Sequence, residues 1–200
     1  MNDINANSSS DHILVGKVLG GDTKAFSIII LQTERLVTQI VFKMIATTED
    51  RKDIAQDVYL KVFQKLSGFK FQSKLSTWIG QIAYNTCLNH LEKKKLVLSD
   101  KQFTENDADK GLENGDQNIS HIETDTPLIK KELSMILQTE MDNLSPIYRT
   151  LLTLYHTEEM SYSEIAQITE LPDGTVKNYL FRARRALKEA LLKKFKKEDL

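Results

Sequence analysis

One cysteine, Cys87, is the whole thiol inventory of this 200-residue chain, so an internal disulfide is excluded. The longest purely apolar run, Ile28 to Leu31, is far shorter than the ~20 residues a bilayer-spanning helix needs. No charged-then-apolar leader precedes the polar opening Met1 to Ser10, and a reducing cytosol is the expected location. Catalytic signatures are missing as well. His12, His90, His121 and His156 are scattered, Cys87 has no evident partner, and neither a phosphate-binding loop nor a metal-ligand spacing occurs. An enzyme therefore finds little support, and no cofactor, metal or small-molecule substrate is expected.

What is present is helix-forming and charged. With 40% hydrophobic residues, the length accommodates one ordinary domain or two small helical cores. The net charge of -1 conceals a segregation: residues 1 to 98 are basic, with 13 Lys and Arg against 9 acids. Residues 99 to 126 carry 2 Lys against 8 acids, residues 127 to 176 carry 3 bases against 8 acids, and residues 177 to 200 carry 9 bases against 3 acids. Two basic blocks thus flank an acidic middle, which suits a chain that touches nucleic acid at two separated places. Charged tails such as Lys193 to Lys197 are also commonly just solvated, so charge alone decides nothing there.

The most informative stretch is residues 161 to 192. Ser161 and Glu164 have capping-box spacing, and Ile165, Ala166 and Ile168 make one apolar face. Leu171-Pro172-Asp173-Gly174 interrupts the helix, and Asp173 can cap the next. At about 100° per residue, Val176, Leu180, Ala183, Leu187 and Ala190 share one arc, while Asn178, Phe181, Arg182 and Arg185 share the opposite one. An aromatic among amides and guanidiniums, off the apolar arc, suits base edges and thymine methyls. The pattern predicts a helix-turn-helix with a DNA-reading second helix.

Upstream, residues 1 to 10 are polar and expected to be disordered, a short helix spans His12 to Leu19, and Gly20-Gly21 ends it. Asp22 can cap a helix from Thr23 to about Met44. A third helix, Arg51 to Leu66, puts Ile54, Ala55, Val58, Tyr59, Val62 and Leu66 on a broad apolar side. Asp53, Gln56, Asp57, Leu60 and Gln64 lie opposite, a leucine ringed by polar groups as in a protein interface. After a loop over 69 to 75 comes a helix from about Ser76 to Lys95, where Trp78, Gln81, Asn85 and Asn89 share a side. A ring, amides and closing lysines are the ingredients for holding single-stranded DNA, although a tryptophan is more often core than stacking platform.

Residues 96 to 127 lose all periodicity and read as an acidic flexible linker. The second unit, 128 to 200, adds a helix carrying Ile129, Leu133, Ile136, Leu137 and Met141, then one capped by Ser145 with Pro146 at its first position. The expected fold is all-α, with two small helical domains, 11 to 95 and 128 to 200.

Several of these stretches together resemble bacterial sigma factors of RNA polymerase, the sigma-70 family, in the compact form of its extracytoplasmic-function (ECF) group. Ser161, Tyr162, Glu164, Ile165, Ala166, Pro172, Gly174, Thr175, Val176, Lys177, Leu180, Arg182, Ala183 and Arg184 match that family's promoter-reading pattern. Gly21-Asp22-Thr23-Lys24-Ala25-Phe26 resembles its GDxxAF segment, and Asp53 to Tyr59 its DxxQExF segment. Residues 69 to 91 follow its FRGESSFxTWLxxIAxN stretch.

The resemblance implies a transcription initiation factor acting with core RNA polymerase on promoter DNA. It implies polymerase contacts by Asp53, Gln56, Asp57 and Leu60, and reading of the melted minus-ten element by Phe71, Gln72, Ser73, Trp78, Asn85 and Asn89. It also implies reading of minus-thirty-five bases by Lys177, Asn178, Phe181 and Arg182, with Thr175, Arg184 and Arg185 on phosphates, and an anti-sigma partner, possibly membrane-linked. Phe71 and Gln72 stand where the family has glycine and an acid, and Glu170 where it often has glycine, so loop and turn both depart from the pattern. A different class remains open: a helix-turn-helix regulator that binds DNA alone as a symmetric dimer, the acidic stripe of the third helix then serving self-association.

Overall fold

The computed structural model describes residues 3–98 and 127–198, with side chains over 10–94 and 133–194. Apart from its edges, the acidic linker lies outside the described residues. The helices are α1 Asp3–Leu19, α2 Thr23–Met44, α3 Thr48–Lys65, α4 Leu75–Leu98, α5 Pro127–Asp142, α6 Pro146–His156, α7 Tyr162–Thr169 and α8 Asp173–Glu198, with a single 3-10 turn, Leu66–Gly68. Among the described residues there is no strand, and the class is all-α.

Helix α1 starts at Asp3, inside the segment expected to be disordered. Asn and Ser are indifferent helix formers, but once the periodic part has nucleated, each further residue gains a backbone hydrogen bond at little entropic cost. It stops where Gly21 adopts φ 92°, and the Asp22 carboxylate caps α2 by accepting from the amides of Lys24 (2.9 Å) and Ala25 (3.2 Å). Over an 18-residue window α2 has a mean hydropathy of 1.3, long and apolar enough to pass for a membrane span. It is placed as a core helix: Ala25, Ile29, Leu36, Val37, Ile40, Val41 and Met44 are buried, and α2 packs on α1, α3, α4 and α6.

Helix α3 begins three residues earlier than its apolar pattern, at Thr48, and buries Ile54, Val58 and Val62. Tyr59 is half-buried, its hydroxyl 3.2 Å from that of Thr33 on α2. Helix α4 supplies Leu75, Ile79, Ala83 and Cys87 to the same core. In the second half Ser145 caps α6 and Pro146 occupies its first turn. Ser161 and Glu164 form the full capping box at α7, with both reciprocal bonds present. Asp173 is not the cap of α8: the amides of Thr175 and Val176 bond the Pro172 carbonyl, which places Asp173 inside the first turn, where its charge favours the helix dipole.

Two separate cores were expected, but the buried residues form one continuous cluster drawn from both halves. The join is α4 on α7 and α2 on α6. At its centre Gly80 of α4 meets Ile168 of α7: a Cβ at residue 80 would lie 3.0 Å from Ile168 Cδ1 and 3.4 Å from Leu36 Cδ2. Only a residue without a side chain permits that approach.

Candidate nucleic-acid interface

The apolar arc of α8 is anchored by Val176, Leu180 and Ala183, each with no exposed surface, against α5, α6 and α7. Rotation of the helix is thereby fixed, and the opposite arc is turned outward. Lys177, Asn178 and Arg185 are exposed, Arg182 is half-exposed, and the Phe181 side chain is 42% exposed. A single exposed ring is ordinary by itself, and Phe42 and Phe63 are no less exposed; Phe181 is set apart by the amide and guanidiniums that share its arc.

Around this face the partners differ. Thr175 is half-buried in the first turn. Arg185 Nε bonds Glu189 Oε1 one turn along the helix (2.9 Å). Arg184 is committed to the scaffold: its guanidinium lies over the Tyr155 ring (5.0 Å) and its Nε donates to His156 Nε2 at 3.3 Å. Burial and the adjacent guanidinium hold the His156 pKa below its ordinary value, so at neutral pH the imidazole can accept that bond. Tyr155 stacks on Tyr162, and Lys177 sits 5.7 Å above the Tyr162 ring. The turn before α8 runs through Glu170, in the left-handed region at φ 58°.

The second candidate surface is the loop after α3 and the start of α4. Phe69 is buried and its ring packs on Trp78 (5.0 Å) and Phe71 (4.6 Å). Phe71 adopts φ 56°, a backbone conformation that favours glycine. Its ring stacks on His12 at 3.6 Å and 12°, a contact that helps offset the strain. Beside this aromatic group opens a cavity of about 350 Å³ lined by Lys70, Gln72, Ser73, Thr77, Trp78 and Gln81 among others. Asn85 is half-buried and Asn89 exposed further along α4. The structure therefore gathers Gln72, Ser73 and Trp78 at one cavity with Phe71 beside it, and leaves Asn85 and Asn89 outside its wall.

Several cavity residues went unmarked in the sequence, Lys70, Gln167 and Thr77 among them. Lys70 supplies a cation to the wall, Gln167 reaches it from α7, and Thr77 is 1% exposed with its hydroxyl unpaired. The Thr77 neighbour of the singled-out Trp78 was legible, but its lack of a partner was not. The third surface is the outer side of α3, where Asp53, Gln56 and Asp57 are exposed around Leu60, itself 56% exposed. No group of three or more His, Cys, Asp or Glu side chains suited to a metal occurs among the described residues.

Fold and surfaces together define an all-helical protein with a helix-turn-helix, a polar helix face turned to solvent and a second, aromatic-lined polar cavity. Two family models match the chain: Sigma-70 region 2 over residues 29–97 and Sigma-70, region 4 over residues 134–187. RNA polymerase sigma-H factor of Pseudomonas aeruginosa is 31% identical over 182 residues, covering 90% of this chain and 93% of the relative. ECF RNA polymerase sigma-E factor of Haemophilus influenzae is 29% identical over 189 residues, covering 93% and 97%. Among solved structures, the sigma factor RpoE in complex with the anti-sigma factor NepR from Bartonella quintana superposes with a TM-score of 0.62 at 22% identity, over 84% of this chain and 98% of that one. CnrH in complex with the cytosolic domain of CnrY gives 0.60 at 18%, over 90% and 96%.

The chain belongs to the sigma-70 family of RNA polymerase sigma factors, and its relatives place it in the ECF group. It is a transcription initiation factor, which directs RNA polymerase to promoters.

Proposed function

We propose that this chain divides promoter recognition between its two polar surfaces. Lys177, Asn178, Phe181 and Arg182 on α8 read the minus-thirty-five element as duplex in the major groove, with Thr175 and Arg185 on phosphates. Arg184 has part of its guanidinium left for a phosphate after its bonds to the scaffold. The cavity beside Phe69, Phe71 and Trp78 takes a base drawn from the melted minus-ten strand, with Asn85 and Asn89 following the strand along α4. Unstacking a base costs a few kcal/mol, which ring contacts and hydrogen bonds offset. Gln72 both donates and accepts, so its base preference differs from that of a carboxylate, which only accepts. The outer face of α3, with Asp53, Gln56, Asp57 and Leu60, binds core polymerase in the cytoplasm.

The observation that carries this reading is the exposed Phe181 in the middle of a polar arc on a helix whose opposite side is buried at Val176, Leu180 and Ala183. Arg182→Ala should cost about 1 to 3 kcal/mol of discrimination among minus-thirty-five duplexes, whereas Arg185→Ala should weaken all duplexes alike and lower the salt slope by about one. Binding titrations over a duplex library at two salt concentrations check this, and equal promoter rankings for both variants would sink the division of roles. Run-off transcription with core polymerase separates a sigma factor from a self-sufficient regulator, since a regulator gives no promoter-dependent transcript without another sigma factor. An anti-sigma partner is supported by the solved neighbour held by NepR; a membrane link for it is part of the proposal.

A further inference from the structure

Four rings in successive contact lead from the minus-ten cavity to the surface. Trp78 lines the cavity and packs on Phe69 at 5.0 Å, Phe69 packs on Phe71 at 4.6 Å, and Phe71 stacks on His12 of α1 at 3.6 Å. The two inner pairs are tilted by 37° and 52°, as aromatic pairs in a core commonly are, whereas His12 and Phe71 lie within 12° of parallel. His12 is exposed, so with one face of its imidazole on Phe71 the other face is open to solvent.

The place of that ring is set by the helix that carries it. Leu14, Val15 and Val18 bury α1 in the core, and Asp11, on their side of the helix one turn earlier, accepts from the Leu75 amide at 2.9 Å. Leu75 opens α4, so its amide is one of the donors a helix leaves without an internal partner. Asp11 thereby ties the end of α1 to the start of α4 and holds the neighbouring His12 over Phe71. A brace of this kind accounts for where α1 sits. It does not account for an exposed imidazole laid flat at the end of a column of rings.

We propose that His12 is a stacking platform for an unpaired base of the melted strand, the immediate neighbour of the base held in the cavity. Histidine and phenylalanine rings are among the surfaces on which single-stranded bases stack. The 3.6 Å spacing of His12 and Phe71 is close to the step of about 3.4 Å between stacked bases, so a base on the open face continues the column with the period of the strand. Lys70, exposed in the loop between Phe69 and Phe71, supplies a cation for the phosphate that joins the two nucleotides. Asp11 is a positioning residue: it acts through His12 and touches no base. This inference rests on the minus-ten reading given above and adds to it a subsite on α1.

The test is an abasic scan with the full chain bound to core polymerase. A promoter selected from a randomised library by run-off transcription is rebuilt with a single abasic site at each non-template minus-ten position, and open-complex formation is measured on every template. In the unmutated chain an abasic site at the cavity position, and one at a single flanking position, should each lower open-complex formation about fivefold or more. His12→Ala should lower it about fivefold or more on the intact promoter, and loss of the flanking base should then cost nothing further. His12→Trp, which keeps a ring, should restore both the intact level and the flanking sensitivity, whereas His12→Gln should restore neither. Each variant is compared with itself on intact and abasic templates, so a general loss of stability cancels. Unchanged open-complex formation in His12→Ala, or the same proportional loss at the flanking position with and without the ring, overturns the platform and leaves His12 a brace for Phe71. A scan with no sensitive minus-ten position in the unmutated chain overturns the minus-ten reading instead.

Discussion

Glu170 and Phe71 show single residues set against their own backbone preferences. Both sit in the left-handed region, at φ 58° and 56°, where a side chain costs on the order of 1 kcal/mol relative to glycine. Each has a compensating contact: Glu170 accepts from Gln81 across the join, and Phe71 stacks on His12. Comparing two substitutions at Glu170 separates the effects. Glu170→Ala loses the bond and keeps the strain, whereas Glu170→Gly loses the bond and releases the strain. Urea unfolding should find the glycine variant more stable than the alanine variant by about 1 kcal/mol, and no difference would mean that the turn relaxes. The need for φ above zero was legible at Glu170 from the turn and the family pattern. Its hydrogen bond, to a residue 89 positions away, was not.

At the scale of the helix, α7 depends on a cap that serves two purposes. Glu164 closes the capping box with Ser161 and also receives Lys74 from the first half. Burial alone would raise its pKa, but the bonds from Lys74 and from the Ser161 amide and hydroxyl outweigh burial and bring it below the ordinary glutamate value of 4.5. Because the folded state then holds this proton less tightly than the unfolded chain, the contribution is present above pH 4.5 and is lost as pH falls through the lowered folded value. Acid unfolding should therefore steepen below that point, and Glu164→Gln should flatten the slope there. Ser161→Ala should cost about 0.5–2 kcal/mol at neutral pH in the same measurement. Element boundaries were read closely where a cap or breaker residue marks them, as at Asp22, Ser145 and Ser161. They were missed where helix continues without an apolar period, as at the start of α1.

At the scale of the whole molecule, Ile168 belongs to both halves at once. It is buried within its own helix-turn-helix and fills the space over Gly80. Ile168→Ala should destabilise by about 2–5 kcal/mol. Trp78, the sole tryptophan, lies in the first half and reports on it selectively. If the halves unfold together, the midpoint read by Trp78 fluorescence falls with the midpoint read by far-UV circular dichroism; independent halves would leave the tryptophan midpoint in place. The same contact explains why α2, apolar enough to resemble a membrane span, is a core helix: it has neighbours from both halves to cover it.

Amino-acid order alone determined which segments are helical, where caps and breakers end most of them, and which arc of α8 is polar. These are local properties, governed by side chains within a turn or two of one another. Tertiary structure decided which apolar faces meet: the hydrophobic pattern of α6 and α7 marks them as needing cover without naming the partner. That partner is α2 and α4, because Gly80 and the polar pins on Arg35, Lys74 and Gln81 shape a seat that exists only after the chain has folded back on itself.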